Sequence, residues 1–196
     1  MTSLDTRSPR VQQRRAELLD ALVALVLAEG FATLTLDDLA RRLRCSKSTL
    51  YGIAASKEQL VVAAVKRFFQ RATAAVEGRA AATGDHRARI GGYLLAVAEQ
   101  LQPGSAQFFT DVAAFAPARE IYDRNTRAAA GRLQQLVAAG VAAGDLRPVD
   151  ASFVGAAVAQ VMNAISAGQI TAATGLDDAA AYRELADLVV AGITPR

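Results

Sequence analysis

A chain of 196 residues that is 52% apolar, with one cysteine and no tryptophan, can bury a sizeable core but cannot rest on a disulfide framework. Its first fifteen residues contain no apolar signal-like run, and charges or glycines interrupt every apolar stretch, so it reads as soluble, cytoplasmic and without a membrane partner. The net charge of +3 is lopsided: 12 Lys/Arg against 7 Asp/Glu over residues 1–72 and 10 against 12 over 73–196, which suits a polyanion-binding head or a chance surface asymmetry.

Few prolines and long runs of Ala, Leu, Val and Arg favour helix almost throughout, so the expected fold class is all-α. Residues 1–10 read as a flexible arm that Pro9 closes. A first helix is expected over about 11–29, with Leu18, Leu22, Leu25 and Val26 on one face and Gly30 as a left-handed stop. Thr35 is placed to cap a short second helix ending near Leu43, with Asp37 and Asp38 in its first turn, where the helix dipole favours negative charge. Arg44 and Cys45 make a turn. Ser46 caps a third short helix over about 47–53, and Ser56 a longer one over about 57–82, with Gln59 in the capping-box place. Beyond Gly84-Asp85, helices are expected over about 86–101, 105–115, 118–143, 150–173 and 178–193, separated by Pro103-Gly104, Pro117, Gly144-Asp145 and Gly175.

The informative stretch is the helix-turn-helix of about residues 33–52. Leu39, Ala40, Leu43, Cys45 and Leu50 supply internal packing, which leaves Lys47, Ser48, Thr49 and Tyr51 facing outward. A lysine can donate to guanine O6 and N7, serine serves either base edge, and the Thr and Tyr hydroxyls reach phosphates. Lys57 opens the next helix, where its ammonium and free backbone N–H groups together favour a phosphate. An ordinary helical corner with a solvated polar face shows the same pattern, so spacing alone leaves both readings open.

Residues 11–72 resemble the DNA-binding domain of the TetR (tetracycline repressor) family. The resemblance is carried by Ala28-Glu-Gly-Phe31, Thr33-Leu-Thr-Leu-Asp-Asp-Leu-Ala40, Ser46-Lys-Ser-Thr-Leu-Tyr51 and Ser56-Lys-Glu-Gln-Leu60, in order and at matching spacing. It implies Lys47 and Ser48 as base readers, with Thr35, Thr49, Tyr51 and Lys57 on phosphates. Ser46 and Arg44 complete the set of DNA-facing residues. It further implies a homodimer on palindromic double-stranded operator DNA, a repressor role and a body over residues 73–196 that binds an effector and dimerises. Such a protein is nucleoid-associated when bound to DNA. Three positions depart from the pattern. Arg44 stands where a turn glycine is usual, Gly52 where an aromatic or His is common, and Ile53 where Phe is usual.

In the body, Phe153, Val154, Ala157, Val158, Val161 and Ile165 form one apolar stripe, and Leu185, Leu188 and Val189 another. Together they are the expected dimer seam of a four-helix bundle. Phe108, Phe109, Phe115, Tyr122, Asn125, Met162, Asn163 and Ser166 are candidates to line a pocket for a small, mainly apolar effector. A regulator that answers a protein partner, or an activator, is the alternative. Catalysis is not expected, because one His, one Cys and no phosphate-binding or nucleophile motif supply no catalytic set, and no cofactor or metal is expected. Cys45 reads as a small buried hydrophobe, with a redox switch as the other reading.

Overall fold

The computed structural model describes residues 9–82 and 84–195. Among them are ten helices and no strand: α1 Pro9–Glu29, α2 Leu36–Arg42, α3 Lys47–Tyr51, α4 Lys57–Ala81, α5 His86–Leu101, α6 Ala106–Ala114, α7 Ala116–Ala143, α8 Ala151–Ser166, α9 Gln169–Thr174 and α10 Asp178–Ile193. No helix among the described residues is long and apolar enough to cross a membrane. Most of the expected arm lies outside the described residues, and Pro9 and Arg10 already belong to the first turn of α1.

Short polar residues start most of these helices, because their side chains accept from backbone N–H groups that have no partner inside the helix. Thr35 accepts from Asp38 N, and the Asp38 carboxylate accepts from Thr35 N at 3.0 Å. Ser46 accepts from Thr49 N, Ser56 from Gln59 N, Asp85 from Ala88 N and Asp150 from Phe153 N. Gln59 reaches one residue further back than a capping box, taking the Ala55 N–H at 3.0 Å.

Two expected boundaries move. Pro117 does not separate helices; it sits in the first turn of α7, where its missing N–H costs nothing. The expected single helix over 150–173 instead breaks at Gly168, whose φ of 71° suits glycine and re-aims the chain into α9. The expected division at residue 72 falls inside α4, a continuous rod shared by head and body.

The head core joins Leu22 and Val26 of α1, Leu39 of α2, Leu50 of α3 and Leu60 to Val65 of α4. Each fully buried Leu contributes about 1.5–3 kcal/mol, enough to fix helices too short to stand alone. Arg67 of α4 forks onto Asp20 of α1, its Nε donating at 2.9 Å and its Nη2 at 3.2 Å, and that hydrogen bonding holds the Asp20 carboxyl below its usual range. In the body α5 packs between α4, α7 and α10, while α8 lies along α7. Gly155 sets that last distance, since a Cβ there would stand 2.9 Å from Gln134 Cβ.

Three tyrosines close the body, and burial pushes Tyr93 and Tyr122 up to about 12 and Tyr182 well above its ordinary value of 10. A phenol with a raised folded pKa contributes stability that is complete below pH 10 and lost as pH climbs through 12. Tyrosinate absorbance followed together with far-ultraviolet circular dichroism should show these phenols ionising only as helix content collapses. Their ionisation near pH 10 with the helices intact would contradict the burial.

Candidate DNA-reading face and body cavity

The α2–α3 corner holds α3 by one anchor, Leu50, which is fully buried, and turns the rest of the helix outward. Lys47, Ser48, Thr49 and Tyr51 are all exposed on it. The turn itself depends on Arg44, whose φ of 50° lies in the left-handed region, at a cost of about 1–2 kcal/mol for a residue with a Cβ. The Cys45 N–H closes it onto Ala40 O at 3.0 Å. Ser46 Oγ lies 2.7 Å from Ser48 Oγ and 2.8 Å from Thr49 Oγ1, so three hydroxyls cluster at the start of α3.

Both lysines expected to contact DNA are engaged with protein. The Lys47 ammonium sits 2.6 Å from Asp37 Oδ1, and that hydrogen bond raises its pKa and keeps it charged. Both side chains are at least half exposed, so the pair is weak and yields readily to a base edge or phosphate. Lys57 Nζ donates to Ala32 O at 2.9 Å. Thr35 is exposed beside them, and its hydrogen bonds hold the Asp38 carboxyl down to about 2. Cys45 is half-buried against the core, and burial pushes its thiol up, which favours the packing role over the redox one.

Sequence reasoning missed the flank that α1 supplies. Arg10 and Arg14 line a shallow groove with Thr49, Gly52 and Ile53, and the Arg15 guanidinium donates to Ile53 O at 3.1 Å. The signal was present as the run of arginines opening the first helix, but only the fold brings that run beside α3.

The body contains a cavity of about 160 Å³ between α4, α5, α7 and α8, walled mainly by Phe69, Val76, Val97, Leu101 and Met162, with Tyr122 and Asn125 also on its lining. A second, more polar groove runs past the other side of Tyr122, lined by Phe109, Arg119, Asn163 and Ser166 among others. Of the eight candidate pocket residues, Tyr122, Asn125 and Met162 line the cavity, and Tyr122, Phe109, Asn163 and Ser166 the groove. Phe108 and Phe115 line neither of these two. Their rings stand edge-on to Phe31, at 6.4 and 6.0 Å between centroids, and form an aromatic joint between head and body.

A family model described as "Bacterial regulatory proteins, tetR family" matches residues 18–64, the stretch from α1 into α4 that carries the corner. Over this segment, about a quarter of the chain, the sequence is similar to the TetR family. Among curated proteins none matches it. The TetR fold extends through the body. A transcriptional regulator from Saccharomonospora viridis, solved in complex with choline, is 17% identical, with a TM-score of 0.74 over 94% of this chain and 100% of that one. A TetR-family regulator from Cytophaga hutchinsonii is 16% identical, with a TM-score of 0.72 over 97% and 100%. A ketosteroid transcriptional regulator from Mycobacterium tuberculosis is 20% identical, with a TM-score of 0.59 over 93% and 96%.

On the outside of the body, α8 and α10 present an apolar surface. Phe153 is 73% exposed and Leu188 71%. Ala157 is exposed beside them, and Val154, Val161 and Val189 are half-buried. Three residues expected on that seam are corrected: Val158, Ile165 and Leu185 are buried in the protomer's own core, because α8 and α10 are apolar on two faces and these residues occupy the inner one.

Proposed function

We propose that this chain is a TetR-family repressor that binds a palindromic operator as a homodimer and leaves it when a small, mainly apolar effector enters the body. The observation that carries the reading is the α3 face, in which one buried leucine fixes a short helix and four consecutive-turn polar side chains remain exposed beside the arginines of α1. In this reading Lys47 and Ser48 meet base edges. Arg44, Ser46, Thr49, Tyr51 and Lys57 position the helix on phosphates, and Thr35 approaches from α2. Residues 11–72 act as the DNA-binding unit, residues 1–10 as an arm, and residues 73–196 as the effector and dimer unit.

The cavity supports an effector over a regulator that senses only a protein partner. Its wall is formed in part by Phe69, Ala72 and Val76 of α4, the same rod that begins just after the recognition helix. A ligand that fits only a wider cavity shifts the population toward a tilted α4 and separates the paired α3 helices. The choline of the neighbouring structure and the ketosteroid regulator both favour a body that receives small molecules.

Selection of bound sequences from random DNA tests the reading directly. A palindrome with half-sites about one helical turn apart is expected, with affinity falling steeply as salt rises. Lys47→Ala should weaken the selected site by about 1–3 kcal/mol and relax base preference at one position per half-site. An unchanged preference would remove Lys47 from the base-reading role.

A further inference from the structure

We propose that Asp37 of α2 is a positioning residue for base reading: it holds the Lys47 ammonium so that two of its N–H groups meet O6 and N7 of one guanine in each half-site. The proposal rests on the reading of Lys47 as a base reader and names the residue that aims it and the base it meets.

The geometry is a bridge between two helices. Lys47 opens α3, Asp37 lies in the first turn of α2, and Nζ stands 2.6 Å from Oδ1. Leu39 and Leu50 are buried in one core, so the carboxylate has a fixed place relative to the recognition helix. A lysine side chain loses much rotamer freedom when it docks on a base. The contact to Asp37 removes part of that freedom before DNA arrives.

The number of donors then selects the base. An ammonium has three N–H groups and no acceptor. One goes to Asp37, and the two that remain match an edge with two neighbouring acceptors. In the major groove guanine offers such an edge through O6 and N7, whereas adenine sets a donor beside N7, thymine a methyl beside O4, and cytosine a donor. The ion pair is exposed enough to give way to a phosphate, but a guanine edge does not require it to break.

Other residues do the local work at the start of α2. Thr35 accepts from Asp38 N and Asp38 accepts from Thr35 N, which closes the helix end. Asp38 also takes Arg41, and Glu29 pairs with Arg42. The Asp37 side chain is 71% exposed and turned to Lys47. A carboxylate on a surface that meets phosphates lowers affinity for DNA of any sequence, so the same residue that aims Lys47 disfavours indiscriminate binding.

Fluorescence anisotropy of the full-length protein on its selected operator tests this, with each of the four bases placed in turn at the position whose preference Lys47→Ala relaxes. The preferred base there should be guanine. Asp37→Ala should lower that preference about 2- to 5-fold, the range of one exposed ion pair, while preferences at other positions and binding to unrelated DNA do not weaken. In the Lys47→Ala background the same substitution should change base preference no further. Thermal melting confirms that each variant is folded. A preferred base other than guanine, an unchanged preference in Asp37→Ala, or an equal loss at every site, as a role in helix stability alone would give, overturns the proposal. Relaxed preference in Lys47→Ala without any in Asp37→Ala removes Asp37 alone, whereas no change in either variant removes the base-reading role of Lys47 as well.

Discussion

Replacing Asp111 by alanine is expected to cost about 2–4 kcal/mol of stability, a sizeable fraction of a typical domain's margin of about 5–15 kcal/mol. Asp111 is a charged residue inside the molecule, 4% exposed on α6. Its Oδ2 accepts from Phe31 N at 2.5 Å and from Ala32 N at 2.8 Å, and its Oδ1 from Gln107 Nε2 at 2.7 Å. The two backbone donors lie just past the end of α1, so the carboxylate stitches the head to the body where the chain turns toward α2. Gly30 makes the approach feasible: its φ is 77°, and a Cβ there would stand 2.5 Å from Asp111 Oδ2. Alanine would strand the buried Phe31 N–H, at about 1–3 kcal/mol, and would also deprive the part-exposed Ala32 N–H and the Gln107 amide of their acceptor. Asp111→Asn should cost only about 1 kcal/mol, because its amide oxygen can replace Oδ2 and Gln107 can turn its own carbonyl toward the new NH₂. Urea unfolding of the two variants measures the gap. A difference between them below about 0.5 kcal/mol would mean that the bonds, and not merely the side-chain volume, are unimportant there.

What was legible in the sequence was local. Caps act over three residues, so Thr35, Ser46 and Ser56 mark helix starts, and α5 and α10 span the residues expected of them. Gly30 and Arg44 were placed at turns, and both adopt positive φ. Gly168 was overlooked because the alanines around it read as continuous helix. Distant partners left no local trace. Asp111 bonds to backbone about 80 residues away, Asp37 meets Lys47 across the corner, and Arg10 and Arg14 come beside Thr49 only when α1 packs. Aromatic identity likewise does not distinguish a cavity wall from a structural joint, so Phe108 and Phe115 read like Tyr122 in the sequence although, of the three, Tyr122 lines the cavity and the others stand against Phe31.

The double substitution Phe153→Asp with Leu188→Asp is expected to dissociate the homodimer proposed here while leaving the protomer helical. Neither side chain supports the protomer's core, since both are more than two-thirds exposed, so their loss removes no internal packing. Two-fold pairing of α8 and α10 would bury each of them twice, and at about 1.5–3 kcal/mol per large apolar side chain they would form the centre of the interface. Aspartate at the same points would bring four unpaired carboxylates together in a desolvated seam, so affinity should fall on the order of 1,000-fold or more. Light scattering after size exclusion at micromolar concentration reads the mass, and circular dichroism confirms the helices. Because two linked recognition helices gain from each other's binding, the dissociated variant should also lose most of its affinity for a palindromic site but little for a half-site. A double variant that keeps a dimer's mass would place the interface elsewhere, and the exposed α8–α10 face would need another partner.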